Sequence, residues 1–565
     1  MLTYTGEVYQ LVFPEDRPFV FVEDEKGQRF GELFVLSSVH PLDGRDNTTL
    51  IAGWEVAEES GETLYMLRAK SSSWQAKTYR LRCSPRRFTY EIEVEGTGRL
   101  CEANYFGGYY SGHLRWGSGF FWSGQRFRGG FNPEPNVLEK YYFAPSETSL
   151  IDLMGVPLPG KGSWFFTPPP FCFCVQGPGG WLSLGVEAAP GQNRFTEYTY
   201  HGQPGSFYLS LSYEGHTTVQ GRYTLPAIGF DFAEDEYAAL AKHVERVAPA
   251  RLAAPMRQID WWCTPIFCGW GAQCYLASLD KGSPPDYARQ ELYESFIQAL
   301  SCNDVHPGIV VLDDKWQAAY GENCVDTAKW PDLPGFVAGR HAAGSKVLLW
   351  LKAWDPEGLP SGECITNPAG LAIACDPSNP AYERRLREAV WRMLSLEGYH
   401  ADGFKIDFTA RIPSGPAIYT CGDTWGLELM REYLGIIYTE AKRAKPDALI
   451  VTHTPHPYLA GVLDMIRLND INAGHPVNEA MIHRARVASI ACPNALIDTD
   501  NWPIPDKNTW RSYLQLQPQL GVPALYYATH IDSTGEPLDE SDYALIRLAW
   551  RRRQGSANST QAQMA

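Results

Sequence analysis

The stretch Ala401-Asp402-Gly403-Phe404-Lys405-Ile406-Asp407-Phe408 decides how the chain is read. Its apolar residues predict a short buried strand. Lys405 and Asp407 stand two residues apart, so on a strand they share a face. A lysine and a carboxylate are costly to bury unless they are paired. Such a pair at a strand end points to use: Asp407 is either a nucleophile or half of a structural ion pair with Lys405.

Working outward from this strand, seven more short apolar runs lie between Ile259 and the C-terminus. They are Pro265–Trp270, Gly308–Asp313, Lys346–Lys352, Ala448–His453, Met465–Asp470, Ala495–Asp500 and Ala524–Thr529. Helical patterns separate them. The clearest is Pro380–Glu397, where Tyr382, Leu386, Val390, Met393 and Leu394 recur at helical spacing. Asn379 precedes it as a cap and Gly398 follows as a stop. Asp286–Leu300, Trp425–Lys442, Asn478–Ile490, Thr509–Gln517 and Ser541–Arg552 read as further helices. Strand and helix in alternation predict an α/β fold, a (β/α)8 TIM barrel over residues 255–553. A doubly wound open sheet is the alternative, but no glycine-rich phosphate loop follows the first strand.

Upstream the pattern is different. Pro18–Glu23, Thr63–Ala69, Thr78–Cys83 and Arg87–Glu95 are rich in β-branched and aromatic residues, with Gly, Pro, Asn and Asp between them. In Arg87–Glu95, Phe88, Tyr90, Ile92 and Val94 fall on one face. Residues 1–245 therefore predict a large N-terminal β-sandwich, closed by a linking helix over Asp235–Val247. The polar stretch 554–565 predicts a disordered tail.

Bulk properties narrow the partners. A net charge of -16 over 565 residues argues against a nucleic-acid backbone as ligand. No run reaches the ~18 apolar residues that span a bilayer, and the N-terminus lacks the pattern of an export signal. A cytoplasmic protein with no membrane partner is expected, and a homo-oligomer is left open. The 13 cysteines lack zinc-ribbon spacing, which predicts reduced thiols and no metal site. Eighteen Trp and 30 Tyr suit either a β-domain core or surfaces that pack on sugar rings.

Barrel enzymes work at the C-terminal ends of their strands. There the chain places Trp270, then Asp313-Asp314-Lys315-Trp316, Lys352 with Trp354 and Asp355, Lys405 and Asp407, His453 and His456, Arg467 and Asp470, Asp498 with Asp500 and Trp502, and His530 with Asp532. A retaining glycosidase needs two carboxyl groups about 5–5.5 Å apart, one ionised as nucleophile and one protonated as acid. Asp407 and Asp470, from strands four and six, have the right relation. Asp498 and Asp500 are the rivals of Asp470.

These motifs resemble the α-galactosidase clan of glycoside hydrolases, most closely the family of bacterial α-galactosidases and plant raffinose-synthase and seed-imbibition proteins. Asp313-Asp314-Lys315-Trp316 is similar to the family's D-D-G-W, Lys405-Ile406-Asp407 to its K-x-D, Arg467-Leu468-Asn469-Asp470 to its strand-six R followed by S-D or D-D, and Asp498-Thr499-Asp500 to its D-x-D. Cys268-Gly269-Trp270 looks like the first-strand C-T-W. The resemblance runs from Cys263 to His530. It implies Asp407 as nucleophile and Asp470 as acid/base. Asp313 and Asp314 would hold the galactose 4- and 6-hydroxyls, with Trp316 beside them. Lys405 would bind hydroxyls and keep Asp407 charged, Arg467 would sit near the 2-hydroxyl, and Trp270 would form an apolar wall. Asp498 and Asp500 complete the expected substrate-binding set. No cofactor is implied, and the implied partner is an oligosaccharide or glycoside.

The chain departs from the family at three places. Lys315 replaces the glycine of D-D-G-W. Thr452-His453-Thr454-Pro455-His456 stands where bacterial members carry a glycine-rich C-S-G-G-G-type stretch, and the C-terminal β-domain is expected to be missing. Other readings remain: a transglycosylase using the same carboxylates, an α-glycosidase for another sugar, a non-catalytic sugar-binding protein, or a metal-dependent hydrolase using His453 and His456 with Asp498 or Asp500.

Overall fold

A computed structural model describes residues 2–15, 18–50, 53–111, 114–119, 130–131, 170–177, 179–203, 206–248, 259–409, 412–468, 470–471 and 476–551. The expected tail at 554–565 lies outside the described residues. The chain forms two compact units. One holds the residues up to Ala248 together with Arg411–Met430, and the other holds Pro249–Ala410 and the residues from Arg431 onward.

The first unit is antiparallel β. Leu2–Thr5, Tyr9–Phe13, Phe19–Asp24 and Arg29–Phe34 form a four-stranded meander. A larger sheet is built on two 19-residue strands, Arg87–Tyr105 and Ser206–Thr224, paired antiparallel. In the first of these, Phe88, Tyr90, Ile92 and Val94 are fully buried and alternate with half-buried residues. The alternation follows from the period of two along a pleated strand. Aromatic residues join the two sheets. Phe13 stacks on Tyr65 at 4.2 Å and Tyr9 on Phe232 at 5.1 Å. The Tyr9 hydroxyl donates to the main-chain oxygens of Ser84 and Arg87. The linking helix is Glu236–Val247, capped by the Asp235 carboxylate on the amides of Tyr237 and Ala238.

The second unit is the expected (β/α)8 barrel. Its strands, numbered within the barrel, are β1 (Ile266–Cys268), β2 (Ile309–Leu312), β3 (Lys346–Lys352), β4 (Gly403–Asp407), β5 (Leu449–Thr452), β6 (Met465–Arg467), β7 (Leu496–Asp498) and β8 (Ala524–Leu525). β1 to β7 pair in parallel, each with its neighbour in sequence, and β8 pairs in parallel with β1. The ring closes at a parallel bridge between Asp498 and Val522. Two main-chain bonds cross the seam, Val522 N to Ile497 O at 2.7 Å and Thr499 N to Val522 O at 3.1 Å, and the Thr499 hydroxyl also donates to Val522 O at 2.9 Å.

Helices α1 (Trp270–Asp280), α2 (Gln290–Cys302), α3 (Leu333–Ala342), α4 (Pro380–Leu394), α5 (Leu427–Ala444), α6 (Val477–Ala491) and α7 (Lys507–Leu520) surround the strands, and residues 540–551 form an eighth, α8. Two of these, α1 and α3, are absent from the helices read in the sequence. Conversely, no α-helix joins β5 to β6. Pro455 and Pro457 interrupt this short link, and a 3-10 turn over Pro457–Val462 makes it.

The barrel's lower interior is apolar. Ile266, Ile309, Val311, Leu348, Leu449, Val451, Met465, Val522 and Ala524 form one buried cluster. Gly403 is required where β4 meets β5. Its φ is +152°, and a Cβ there would stand 2.0 Å from Leu449 O. Beneath β4, the buried Asp402 carboxylate takes Lys445 at 2.8 Å, Lys346 at 3.3 Å and the Val347 amide at 2.8 Å, with His341 Nε2 at 2.7 Å.

Candidate active site at the mouth of the barrel

Strand register stacks the polar residues above the apolar cluster. Trp350 pairs with Lys405 and Lys352 with Asp407, while Lys405 pairs with Val451 and Arg467 with Asp498. Two residues further along from the inward-facing Val311, Leu348 and Met465 stand Asp313, Trp350 and Arg467. The period of two carries each strand from a dry base to a polar rim.

Arg467 organises that rim. It is buried, and its Nη1 bonds Asp470 Oδ1 at 2.8 Å and also Asp500 Oδ2. Its Nη2 reaches Asp407 Oδ1 at 3.3 Å. Three carboxylates from strands β4, β6 and β7 thus meet on one guanidinium, which has the fork geometry to hold them.

Asp407 is the most heavily bonded of the three. Besides Arg467, its Oδ1 accepts the Phe408 amide at 2.9 Å and lies 3.2 Å from His453 Nε2. Phe408 has a φ of +58°, so the chain turns sharply where the strand ends. Oδ2 accepts Trp350 Nε1 at 3.1 Å. Burial works to raise the pKa of this carboxyl. Arg467, with His453 and Lys405, overrides it and holds Asp407 well below the usual carboxylate range.

Asp470 is pushed the other way. Burial raises its pKa to about 6 against the pull of Arg467, and Asp500 and Asp407 add to the rise. Its side chain is still 27% exposed, whereas those of Asp500 and Asp498 are shut in at 0% and 3% for the residue. Burial also raises the pKa values of Asp498 and Asp500. Their bonds are structural: the Asp500 amide donates to Asp498 Oδ1 and the Trp502 amide to Asp500 Oδ1. Of the acid candidates, Asp470 alone combines a raised pKa with access to solvent.

Lys405 does not pair with Asp407. Its Nζ bonds Asp313 Oδ2 at 2.7 Å and lies 3.5 Å from Cys268 Sγ, whose thiol donates to the same Asp313 oxygen at 2.9 Å. Burial disfavours its charge, but Asp313 overrides this and the Lys405 pKa is raised. The reason for the partner is lateral. Asp313 faces Lys405 across the mouth, while Asp407 stands one step above Lys405 on its own strand, level with Arg467.

Asp314 sits further out. Burial raises its pKa to about 7, against the Tyr320 hydroxyl that donates to it at 2.7 Å. Trp316 lies inside the barrel wall. It is fully buried, and its Nε1 donates to Trp350 O at 2.8 Å, so it presents no ring face to a ligand. Trp270 opens α1 instead of ending β1. Its ring packs edge-on against Trp502 at 5.8 Å, and both lean on the core cluster. Trp502 Nε1 donates to Asp532 at 2.9 Å.

The two histidines have separate tasks. His453 lies against Asp407, whereas His456 Nδ1 accepts the Tyr458 amide and caps the 3-10 turn. Burial lowers the His456 pKa to about 3. Among the described residues, the group with metal-like spacing is Glu187, Asp231 and His243, in the β unit. Arg87 already bonds both of its carboxylates there. The sequence pattern missed Trp350 and Tyr320 as site residues. Trp350 was within reach: it precedes Lys352 by two on the same strand, so it faces inward.

No protein-family model and no curated protein sequence matches the chain. Its fold is shared with solved structures of low identity. A GH31 family sulfoquinovosidase from E. rectale in complex with an aza-sugar inhibitor aligns with a TM-score of 0.56 at 11% identity, over 98% of this chain and 82% of that one. An uncharacterised protein from Listeria monocytogenes in complex with glucose aligns at 0.53 and 11% identity over 97% of this chain, which spans only 55% of that protein's length. An α-galactosidase from Thermus thermophilus in complex with stachyose aligns at 0.50 and 14% identity, over 88% of this chain and 99% of that one. The shared architecture is a (β/α)8 barrel preceded by a β domain.

Proposed function

We propose that the chain is a retaining α-glycoside hydrolase acting on terminal α-galactosyl groups. One arrangement carries this reading: two carboxyl groups meet on a single guanidinium, and their surroundings push them apart, Asp407 well below the usual carboxylate range and Asp470 up to about 6. Opposed pKa values in one site assign nucleophile and acid. In the first step Asp407 attacks the anomeric carbon while Asp470 gives its proton to the departing oxygen. In the second, water attacks that carbon, Asp470 takes the water's proton, and the bond to Asp407 breaks. Neither step calls for a redox group or a metal.

The α-galactosyl assignment rests on the Asp313-Asp314, Lys405-Ile406-Asp407 and Arg467–Asp470 motifs and is supported by the α-galactosidase among the structural neighbours. Charge favours a neutral sugar over an anionic one. Each lysine near the mouth already holds a carboxylate: Lys315 holds Glu357 at 2.6 Å, Lys352 holds Asp355 at 2.8 Å and Lys405 holds Asp313.

The test is a screen of aryl α- and β-glycosides, with the product anomer read by NMR, on wild type and two variants. Asp407→Asn abolishes turnover with the fold intact. Asp470→Asn slows substrates with poor leaving groups far more than activated aryl glycosides. Substantial activity in Asp407→Asn, or a product of inverted configuration, sinks the mechanism.

A further inference from the structure

The two oxygens of Asp407 are unequal. Oδ1 accepts two hydrogen bonds, from the Phe408 amide at 2.9 Å and Arg467 Nη2 at 3.3 Å, and the His453 ring lies 3.2 Å away. Among the described residues Oδ2 accepts one hydrogen bond, from Trp350 Nε1 at 3.1 Å. A carboxylate oxygen has two lone-pair sites. Oδ1 is saturated, and Oδ2 keeps a pair for bonding. We propose that Oδ2 is the oxygen that bonds to sugar, and that Trp350 is a positioning residue which makes the same oxygen a competent leaving group. This rests on the double-displacement reading given above.

Trp350 is fixed on every side. It is 1% exposed. Its main-chain oxygen takes Trp316 Nε1 at 2.8 Å and Gln317 Nε2 at 3.4 Å. Its ring meets Tyr320 at 5.8 Å and Phe408 at 6.2 Å, both nearly edge-on. Tyr320 is itself bracketed by Lys315 and Lys352, at 4.1 and 4.2 Å from its ring centre, and tied to Asp314 through its hydroxyl. The indole N–H is therefore aimed in advance of the reaction, the condition under which a donor stabilises charge without reorganising.

The consequences for the two steps are opposite. When Oδ2 bonds to the anomeric carbon, the leaving oxygen departs with the proton from Asp470, and the charge on Asp407 disappears. Oδ1 becomes the carbonyl oxygen of an ester, and Oδ2 becomes its weakly accepting bridging atom. The bond from Trp350 then loses strength, so this donor slightly restrains attack. When water attacks and the C1–Oδ2 bond breaks, the electron pair returns to Oδ2, and Trp350 Nε1 meets the developing charge. The donor thus speeds breakdown of the intermediate.

The experiment is steady-state and rapid-mix kinetics of Trp350→Phe on an activated aryl α-galactoside. This change removes the N–H and keeps an aromatic ring. The expected result is a fall of about tenfold in kcat, the size carried by a hydrogen bond to a charged group. KM falls in parallel, kcat/KM is nearly unchanged, and a burst of aryl alcohol approaches one equivalent. Intact-protein mass spectrometry then shows sugar esterified on Asp407. A merely structural role would lower kcat/KM and leave no burst. That outcome, or unchanged kcat and KM, overturns the proposal. If Trp350→Phe does not fold, 3-benzothienylalanine placed at position 350, which substitutes sulfur for the N–H in a ring of the same shape, gives the same readouts. An inverted product anomer, or no sugar on Asp407 in any variant, would instead count against double displacement itself.

Discussion

Asp470 and Asp407 differ by what surrounds them, and the difference sets a pH profile. The acid must be protonated, so kcat/KM should be lost as pH rises through about 6, the value to which burial pushes Asp470. The acid limb falls below the normal carboxylate range, because Arg467 keeps Asp407 ionised. A pH–rate profile checks both limbs. Asp470→Asn should remove the upper one, while Asp314→Asn, whose carboxyl also titrates high at about 7, should leave it in place. At this scale the sequence was informative about identity and less so about partnership. Lys405 and Asp407 stood out because two charged residues interrupt an apolar strand. That Lys405 would choose Asp313, and that Arg467 would collect three carboxylates, depends on which strands face one another across a closed ring. Spacing along the chain carries no such information.

The strands of the barrel were legible as elements because each is a short apolar run, and most of them end in charged residues. The helices were legible in proportion to their amphipathicity. In α4, apolar residues recur at helical spacing behind an asparagine cap, and Tyr382, Leu386, Val390 and Met393 are buried. Two helices escaped. α1 (W-G-A-Q-C-Y-L-A-S-L-D) has no polar face to contrast with an apolar one, and α3 (L-P-G-F-V-A-G-R-H-A) contains two glycines and a proline. The element most sensitive to one atom is β4. Gly403→Ala would force a Cβ to within 2.0 Å of Leu449 O at a φ of +152°. We expect a loss of about 3 kcal/mol or more in urea unfolding. Because the collision lies between β4 and β5, activity should fall together with stability.

Across the barrel as a whole, its two ends divide the work. Charges at the upper rim converge on Arg467, while Asp402 at the base is sealed with Lys445, Lys346 and His341. Removing one partner of a buried ion cluster leaves the others uncompensated. Asp402→Asn should cost about 3 kcal/mol at neutral pH without altering the pH profile of turnover. Burial tends to raise the Asp402 pKa, but Lys445 and the other donors bring it below its ordinary value. A lowered folded-state pKa gives stability that is present above the unfolded value of about 3.9 and lost as pH falls through the folded one. The deficit of Asp402→Asn should therefore shrink in strongly acidic solution. Denaturation curves at neutral and acidic pH measure it.

The barrel wall is not uniformly built. β3 and β4 share five paired residues, whereas among the described residues the main-chain pairing of β7 with the segment leading into β8 is one bridge, Asp498 with Val522, and side chains such as Thr499 make the other bonds across it. Local openings follow the weakest joint. In native-state hydrogen exchange, the Val522 and Thr499 amides should lose protection through sub-global fluctuations, well before those of β3 and β4 do. Asp500, one of the three carboxylates on Arg467, stands beside that joint. Each such fluctuation would loosen one grip on the guanidinium while Asp407, anchored to the opposite wall, keeps its place.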